Sequence, residues 1–407
     1  MYWDDMNGGL AVYLQGRCFL VCTVYFYGML SYWEQESFSF YDHIIVGSGI
    51  VGLSLAIELR ERMPQQRVLV LERGLLPTGA STRNAGFACM GSATELLDDL
   101  ERNSEEEVVS LFAARREGLV KLRGRLGDER IGYRANGSHE LISDKEYDAL
   151  NRLAYLNDLL RPVTGKDAFV PANGRISEFG FGGAYARALI ENTCEGGLHT
   201  GMMMRALTDM ALTLGVEIKT GAEVKNYEED DKGVNVAVQD PFRKEVWPLR
   251  CAALSICTNA FTRSLLPHEE VTPGRGQVLI TDPVPGLKLR GVYHFDKGYY
   301  YFREINGRVL FGGGRNMDIE GETTTEIALN EQIQADLDDK LRNMILPYTT
   351  YTVAQRWAGI MAFGSVRKPI VRAISGRVYG AFRMGGMGVA LGSDAAARLA
   401  GIIAQSM

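Results

Sequence analysis

The sequence predicts an α/β fold of two interleaved domains, on three observations. A strand–turn–helix–strand unit runs from Tyr41 to Glu72, β signals dominate from Val271 to Gly314, and the first pattern returns near the C-terminus. Tyr41 to Val46 (YDHIIV) reads as a buried strand, and Gly47-Ser48-Gly49-Ile50-Val51-Gly52 forms a G-x-G-x-x-G turn. Leu53 to Glu61 places Leu53, Ala56, Ile57 and Arg60 at helical spacing, and Arg67 to Leu71 is a second apolar strand ending at Glu72. The first glycine permits the tight turn, the second admits a pyrophosphate to the backbone, and the third lets helix and strand pack closely. Phosphates then meet the unpaired N–H groups at the positive end of the helix. Glu72, twenty residues after Gly52, is placed to accept from ribose hydroxyls and would repel a 2′-phosphate, which disfavours NADP. A lone glycine turn also occurs in ordinary α/β domains. Here strand, helix, second strand and acid arrive in order.

The 407 residues suffice for two domains, and 46% hydrophobic with 23% charged residues is globular composition. A net charge of −6 without a Lys/Arg run argues against a nucleic-acid partner. Six cysteines (Cys18, Cys22, Cys89, Cys194, Cys251, Cys257) lack C-x-x-C spacing, so a reducing, cytoplasmic setting and no metal site are expected. Residues 1–40 read as an N-terminal extension. Gly8 to Leu30 has the length of a membrane span, but Gln15 and Arg17 interrupt it and Asp4 and Asp5 replace a basic leader. A non-native or disordered tail, with Met29 as the true start, is favoured over a membrane contact.

After Glu72, Arg73-Gly74 leads into Gly79 to Phe87, a small-residue loop suited to lie against something flat. Helices are expected over Glu95 to Arg125, Tyr147 to Leu160, Leu198 to Leu214 and Thr325 to Met344, with most of Met202, Met203 and Met204 filling core. Leu254 to Ala260 is a strand running into a polar turn, and Asn306-Gly307 marks a hairpin. The dinucleotide domain is expected over 41–95, 190–265 and 355–407, and the second domain over 96–189 and 266–354.

Three features favour FAD over NAD. The Gly79 to Phe87 loop follows the second strand, where it can reach along an extended cofactor. The cluster Gly385-Gly386-Met387-Gly388 opens the last helix, whose positive end suits the anionic edge of a reduced flavin. No second G-x-G-x-x-G leads into a helix, since Gly312-Gly313-Gly314 runs into the polar loop of Asn316, Asp318 and Glu320.

Taken together, Gly47 to Gly52, Glu72, the S-x-x-N-x-G of Ser81, Asn84 and Gly86, the Pro273-x-Arg275-Gly276-Gln277 strand, the Trp357-Ala358-Gly359 turn and Gly385 to Val389 resemble the FAD-dependent oxidoreductases that include D-amino-acid oxidase, glycine oxidase and sarcosine oxidase. The resemblance implies a Rossmann-like FAD-binding domain interleaved with a substrate domain on a mixed β-sheet. It places Val224, Thr258 and Asn259 at the adenosine half. Ser81, Thr82, Arg83, Asn84, Ala85, Gly86 and Phe87 fall on the flavin side, with Gly359, and Gly385, Gly386, Met387, Gly388 and Val389 at the pyrimidine edge. FAD is expected to be noncovalent, with Cys89 the only cysteine near enough in sequence to argue otherwise.

Glycine- and sarcosine-oxidase-like members hold the substrate carboxylate with arginine, one of them in W-x-G-x-R. Here Met361 stands at that place and Gly386 near the second, with Arg383 three residues earlier. Other groups are therefore expected to serve. Strand Gly298 to Glu304 puts Tyr299, Tyr301 and Arg303 on one face, so the tyrosines are expected to line the pocket with Arg303 or Arg315 as anion partner. A solvated arginine on an amphipathic strand is the plainer alternative. His294 and Lys297 precede this strand as unranked candidate bases. The resemblance implies oxidation of a C–N bond of a small amine or modified amino acid, by hydride transfer to flavin N5, with oxygen or a quinone as acceptor. A 2-hydroxy-acid or alcohol dehydrogenase and a non-catalytic flavin-binding module are the alternatives.

Overall fold

The computed structural model describes residues 11–14, 17–20, 30–181, 186–242 and 246–406. Two large sheets organise these residues. The first has a parallel core in the order Glu217–Thr220, Val68–Glu72, Phe40–Val46, Val246–Ile256, and Val378–Phe382 pairs parallel with the last of these. Gly233–Gln239 and Glu223–Asp230 extend it as an antiparallel meander. Val68–Glu72 is buried throughout, as a strand covered on both faces should be. One face carries helices Ile50–Arg62, Thr200–Thr213 and Gly388–Ser406.

The second sheet runs Val353–Phe363, Thr272–Thr281, Arg308–Gly313, Tyr300–Ile305, Val292–Phe295, Ser138–Ile142, Ala188–Asn192, Phe169–Pro171. It is mixed: Val292–Phe295 and Ser138–Ile142 are parallel, and their neighbours are antiparallel. Its core face stacks Tyr293 on Phe302 at 4.6 Å and Phe295 on Tyr300 at 4.8 Å. Asn306 and Gly307 turn the hairpin with φ of 52° and 73°, both in the left-handed region that this short turn requires.

Several sequence expectations are corrected in detail. The run expected as one helix from Glu95 is two, Ala93–Leu100 and Glu105–Leu126, because Ser104 and Glu107 form a reciprocal cap that starts the second. The Gly79 to Phe87 loop contains a single helical turn, Ala80–Arg83. Asn330 caps a helix at Glu331–Lys340, so the helix does not start at Thr325. Trp357 to Gly359 lies inside the eleven-residue strand Val353–Phe363, which pairs with Thr272–Thr281 in the second sheet. The chain therefore re-enters the first sheet after 363, later than 355. Met203 and Met204 are buried, while Met202 is exposed. Most of Gly8 to Leu30 lies outside the described residues, which include the paired strands Ala11–Leu14 and Arg17–Leu20. No helix among the described residues is long and apolar enough to cross a membrane.

Helix Glu105–Leu126, expected with the substrate domain, packs on the C-terminal helix of the first. A Cβ built at Gly118 would lie 1.9 Å from the Ala390 carbonyl oxygen, so only glycine allows this approach. Buried Glu58, on helix Ile50–Arg62, accepts from Arg62 of its own helix and from Lys121 and Arg125, and so ties its helix to Glu105–Leu126. Gly118→Ala is expected to destabilise the chain by about 1–3 kcal/mol through overpacking. On the same helix exposed Gly124 meets nothing within 4 Å. Gly124→Ala should therefore stabilise it by roughly 0.5–1 kcal/mol. Denaturant midpoints of the two variants that move in the same direction would contradict this packing.

Candidate active site

A cleft of about 720 Å³ runs between the sheets, from Glu72 and Val224 at one end to Tyr299 and Tyr301 at the other. The glycine turn forms its floor. Gly47 adopts φ +104°, and a Cβ at Gly52 would lie 1.9 Å from the Gly47 carbonyl oxygen. The turn therefore closes directly onto the helix start, and that N-terminus opens on the cleft. The Ser81 hydroxyl accepts from Ile50 N–H at 3.0 Å, and a Cβ at Gly49 would come 2.8 Å from that hydroxyl.

At the first end Glu72 is buried. Its carboxylate accepts from Ser48 N–H (3.1 Å), Ser48 Oγ (2.8 Å) and Gly74 N–H (3.0 Å), which fixes its orientation while it lines the cleft. Arg73 stacks on Phe261 at 3.6 Å. Asn259, at φ 47°, accepts from Met384 N–H at 3.2 Å and ties its turn to the approach of the last helix.

The loop after Gly79 is held from three sides. Asn84 donates to the Ala80 and Ser81 carbonyls and accepts from Gly86 N–H and the Thr200 hydroxyl. Trp357 Nε1 donates to the Arg83 carbonyl at 3.0 Å, and Arg83 donates to Ala358 at 2.8 Å. Arg303 supplies the third hold. It is buried, and its Nη1 donates to the carbonyls of Ala85 (3.2 Å), Gly86 (2.8 Å) and Leu198 (2.8 Å). Burial pulls this guanidinium down to about 10. Arg303 is thus a clamp on the loop and does not reach the substrate space, which corrects its expected role as anion partner. The two-residue period placed it on the correct face, but backbone carbonyls wait there in place of a ligand.

Tyr299, 42% exposed, and Tyr301 both line the cleft. Phe87 packs edge-on against Tyr301 (5.6 Å) and His294 (5.0 Å). Burial pushes Tyr301 up to about 12 and His294 down to about 4, so both are neutral near pH 7. Lys297 is committed to Asp98 at 2.7 Å. Arg315 lines the cleft, stacked on Phe363 at 4.5 Å; its Nε has no hydrogen-bond partner, and it makes no ion pair among the described residues. Burial lowers its basicity. Arg383 is engaged by the Lys368 carbonyl and Glu270.

Of the residues expected to bind cofactor, Ser48, Gly52, Gly74, Thr82 and Gly86 do not line the cleft. Ser48 and Gly74 serve Glu72, Gly52 underlies the turn, the Thr82 hydroxyl donates to the Pro77 carbonyl, and Gly86 faces Arg303. The other expected cofactor residues, including Gly359 and Gly385 to Val389, line it. Sequence reasoning missed Phe261, Phe363 and a charged rim in which Arg367 pairs with Glu95 (2.7 Å) and Asp99 (3.0 Å). Burial outweighs Arg367 and lifts Asp99 to about 6. Phe363 was accessible: it follows Trp357, Gly359 and Met361 at strand period two.

The residues present fit FAD. An acid and an aromatic-stacked arginine stand at one end, a helix N-terminus with glycine-only clearance in the middle, and a flat small-residue loop faces a second helix N-terminus at the other. Arg303→Met should cost about 2–4 kcal/mol, because it leaves buried carbonyls without their charged donor. An unchanged denaturant midpoint would contradict the clamp.

The fold matches that of known proteins. No curated protein sequence matches the chain. The structure is similar to glycine oxidase from Geobacillus kaustophilus (TM-score 0.73, 20% identity, 90% of this chain and 95% of that one). It is also similar to L-proline dehydrogenase from P. horikoshii (0.72, 16%, 90% and 94%) and to iminodiacetate oxidase from Chelativorans sp. BNC1 (0.69, 18%, 89% and 95%). The model of one family, FAD dependent oxidoreductase (DAO), matches residues 42–401. The chain belongs to that family and is an FAD-dependent oxidoreductase.

Proposed function

We propose that the chain oxidises the C–N bond of a small amine or modified amino acid that carries an acid group, and that Arg315 binds that group. The observation that carries the reading is Arg315 itself, a guanidinium facing the cleft and free of ion pairs among the described residues, stacked on Phe363. Met361 and Gly386 line the same space at the places where relatives carry arginine, so the acid-binding charge comes from a different element. The similar structures named for glycine, L-proline and iminodiacetate, all amino or imino acids, support the same class.

Bound FAD supplies the hydride acceptor, and oxygen or a quinone restores it. The chain's own residues bind and orient. Arg315 fixes one end of the substrate through charge-assisted hydrogen bonds, and stacking on Phe363 limits its rotation. Phe87, Tyr301 and neutral His294 form a wall that excludes water, which favours the unprotonated amine needed for hydride loss. Among the described residues two cysteines, Cys89 and Cys257, line the cleft, Cys89 of them beside this wall, and noncovalent FAD is part of the proposal.

Anaerobic bleaching of the flavin band at ~450 nm across amines, amino acids and 2-hydroxy acids tests the reading, since the cofactor reports its own reduction. Amino or imino acids should bleach it. Bleaching by hydroxy acids alone, or by nothing including dithionite-free long incubations, would overturn it. Arg315→Met should raise KM for acid-bearing substrates about 30- to 150-fold, the equivalent of ~2–3 kcal/mol of charged hydrogen bonding. An unchanged KM would remove Arg315 from the site.

A further inference from the structure

Where the cleft wall meets the second sheet, three metal-ligating side chains converge that the proposed oxidation does not use as ligands. Cys89 follows the flavin loop, His294 comes from strand Val292–Phe295, and Glu195 precedes the bridge at Gly196. All three are buried, and one ligand atom from each lies within 4.8 Å of the others. We propose that Cys89, His294 and Glu195 bind one divalent ion of the zinc class at the wall of the cleft.

The chemistry of the set supports this. Thiolate, imidazole and carboxylate are the three ligand types that zinc accepts, and its bond lengths in tetrahedral geometry place sulfur and nitrogen ligands ~3.6 Å apart. Cys89 Sγ and His294 Nε2 are already 3.5 Å apart. That spacing serves a thiol–imidazole hydrogen bond without metal and a ligand pair with it. Glu195 is oriented for the third place. Its Oε1 accepts from Met90 N–H and from Gly91 N–H (3.1 Å), which fixes the carboxylate; the Ser138 hydroxyl also bears on it, and buried Oε2 has no hydrogen-bond partner within 3.5 Å. Hydrogen bonds that fix a ligand's orientation in this way are usual around bound ions. Closing the widest gap to tetrahedral spacing needs about 1 Å of side-chain movement.

Binding a dication would displace the Cys89 thiol proton to solvent, and the thiolate and the Glu195 carboxylate would then balance its charge. Arg115 and Arg303 also bear on Cys89; they favour its thiolate but oppose the cation. Cys89 and His294 both line the cleft, so an ion held by them would be reached from it.

The test uses the tag-free holoprotein, soaked in zinc chloride, desalted and assayed for zinc and FAD by atomic emission and absorbance. We expect about one zinc per chain in the wild type and a loss of more than ten-fold, per chain, in Cys89→Ser and His294→Ala. Cobalt(II) added to the wild type should give a thiolate-to-cobalt charge-transfer band in the difference spectrum. Zinc retained equally by the variants, no zinc in the wild type, or a cobalt spectrum without the thiolate band would each overturn the site. Flavin content is read separately, so failure here is distinct from failure of the proposed oxidation.

Discussion

The close approach of Gly52 to the Gly47 carbonyl is the constraint on which the rest is built. With no side chain at either position, strand Phe40–Val46 turns directly into helix Ile50–Arg62. The helix start then opens on the cleft with its positive end exposed. Glu72 and Ser81 arrive from later in the chain and attach to this turn, one through Ser48 and the other through Ile50. Any methyl group at Gly52 would push helix from strand and displace both.

The second sheet contributes mainly by grip. Arg303 reaches across to three carbonyls, and Trp357 holds a fourth, so the Gly79 to Phe87 loop is shaped by residues from the second sheet. A buried arginine is costly unless its donors are used, and here the donors hold a loop that would otherwise expose unpaired carbonyls. The cleft is consequently a property of both sheets together. In the proposed function, substrate and cofactor share this one space, with polar recognition confined to a few of its lining groups such as Arg315 and Glu72.

Much of this was legible in the sequence because local chemistry dictates it. The glycine turn, the Asn306-Gly307 hairpin and the reciprocal cap of Ser104 with Glu107 each carry their own geometry, although the last was read through as continuous helix. What was not legible depends on distant partners. Trp357-Ala358-Gly359 reads as a turn in the sequence, and only pairing with distant Thr272–Thr281 makes it part of a strand of the second sheet, so the expected boundary at 355 falls inside that strand. Period two put Arg303 beside Tyr301, yet only the folded chain shows that Ala85, Gly86 and Leu198 consume its donors. Arg315 gave no signal beyond its charge, because its place follows from the left-handed Gly313 and Gly314 that precede it.

The most direct measurement is the flavin bound per chain, read by acid precipitation of purified wild type and of Gly49→Asp. The account predicts about one FAD per wild-type chain, all of it released into the supernatant, and a folded but colourless Gly49→Asp, whose carboxylate would occupy the place of the phosphates beside Ser81. A wild type that stays colourless after incubation with FAD, or a Gly49→Asp that retains it in full, would contradict the account.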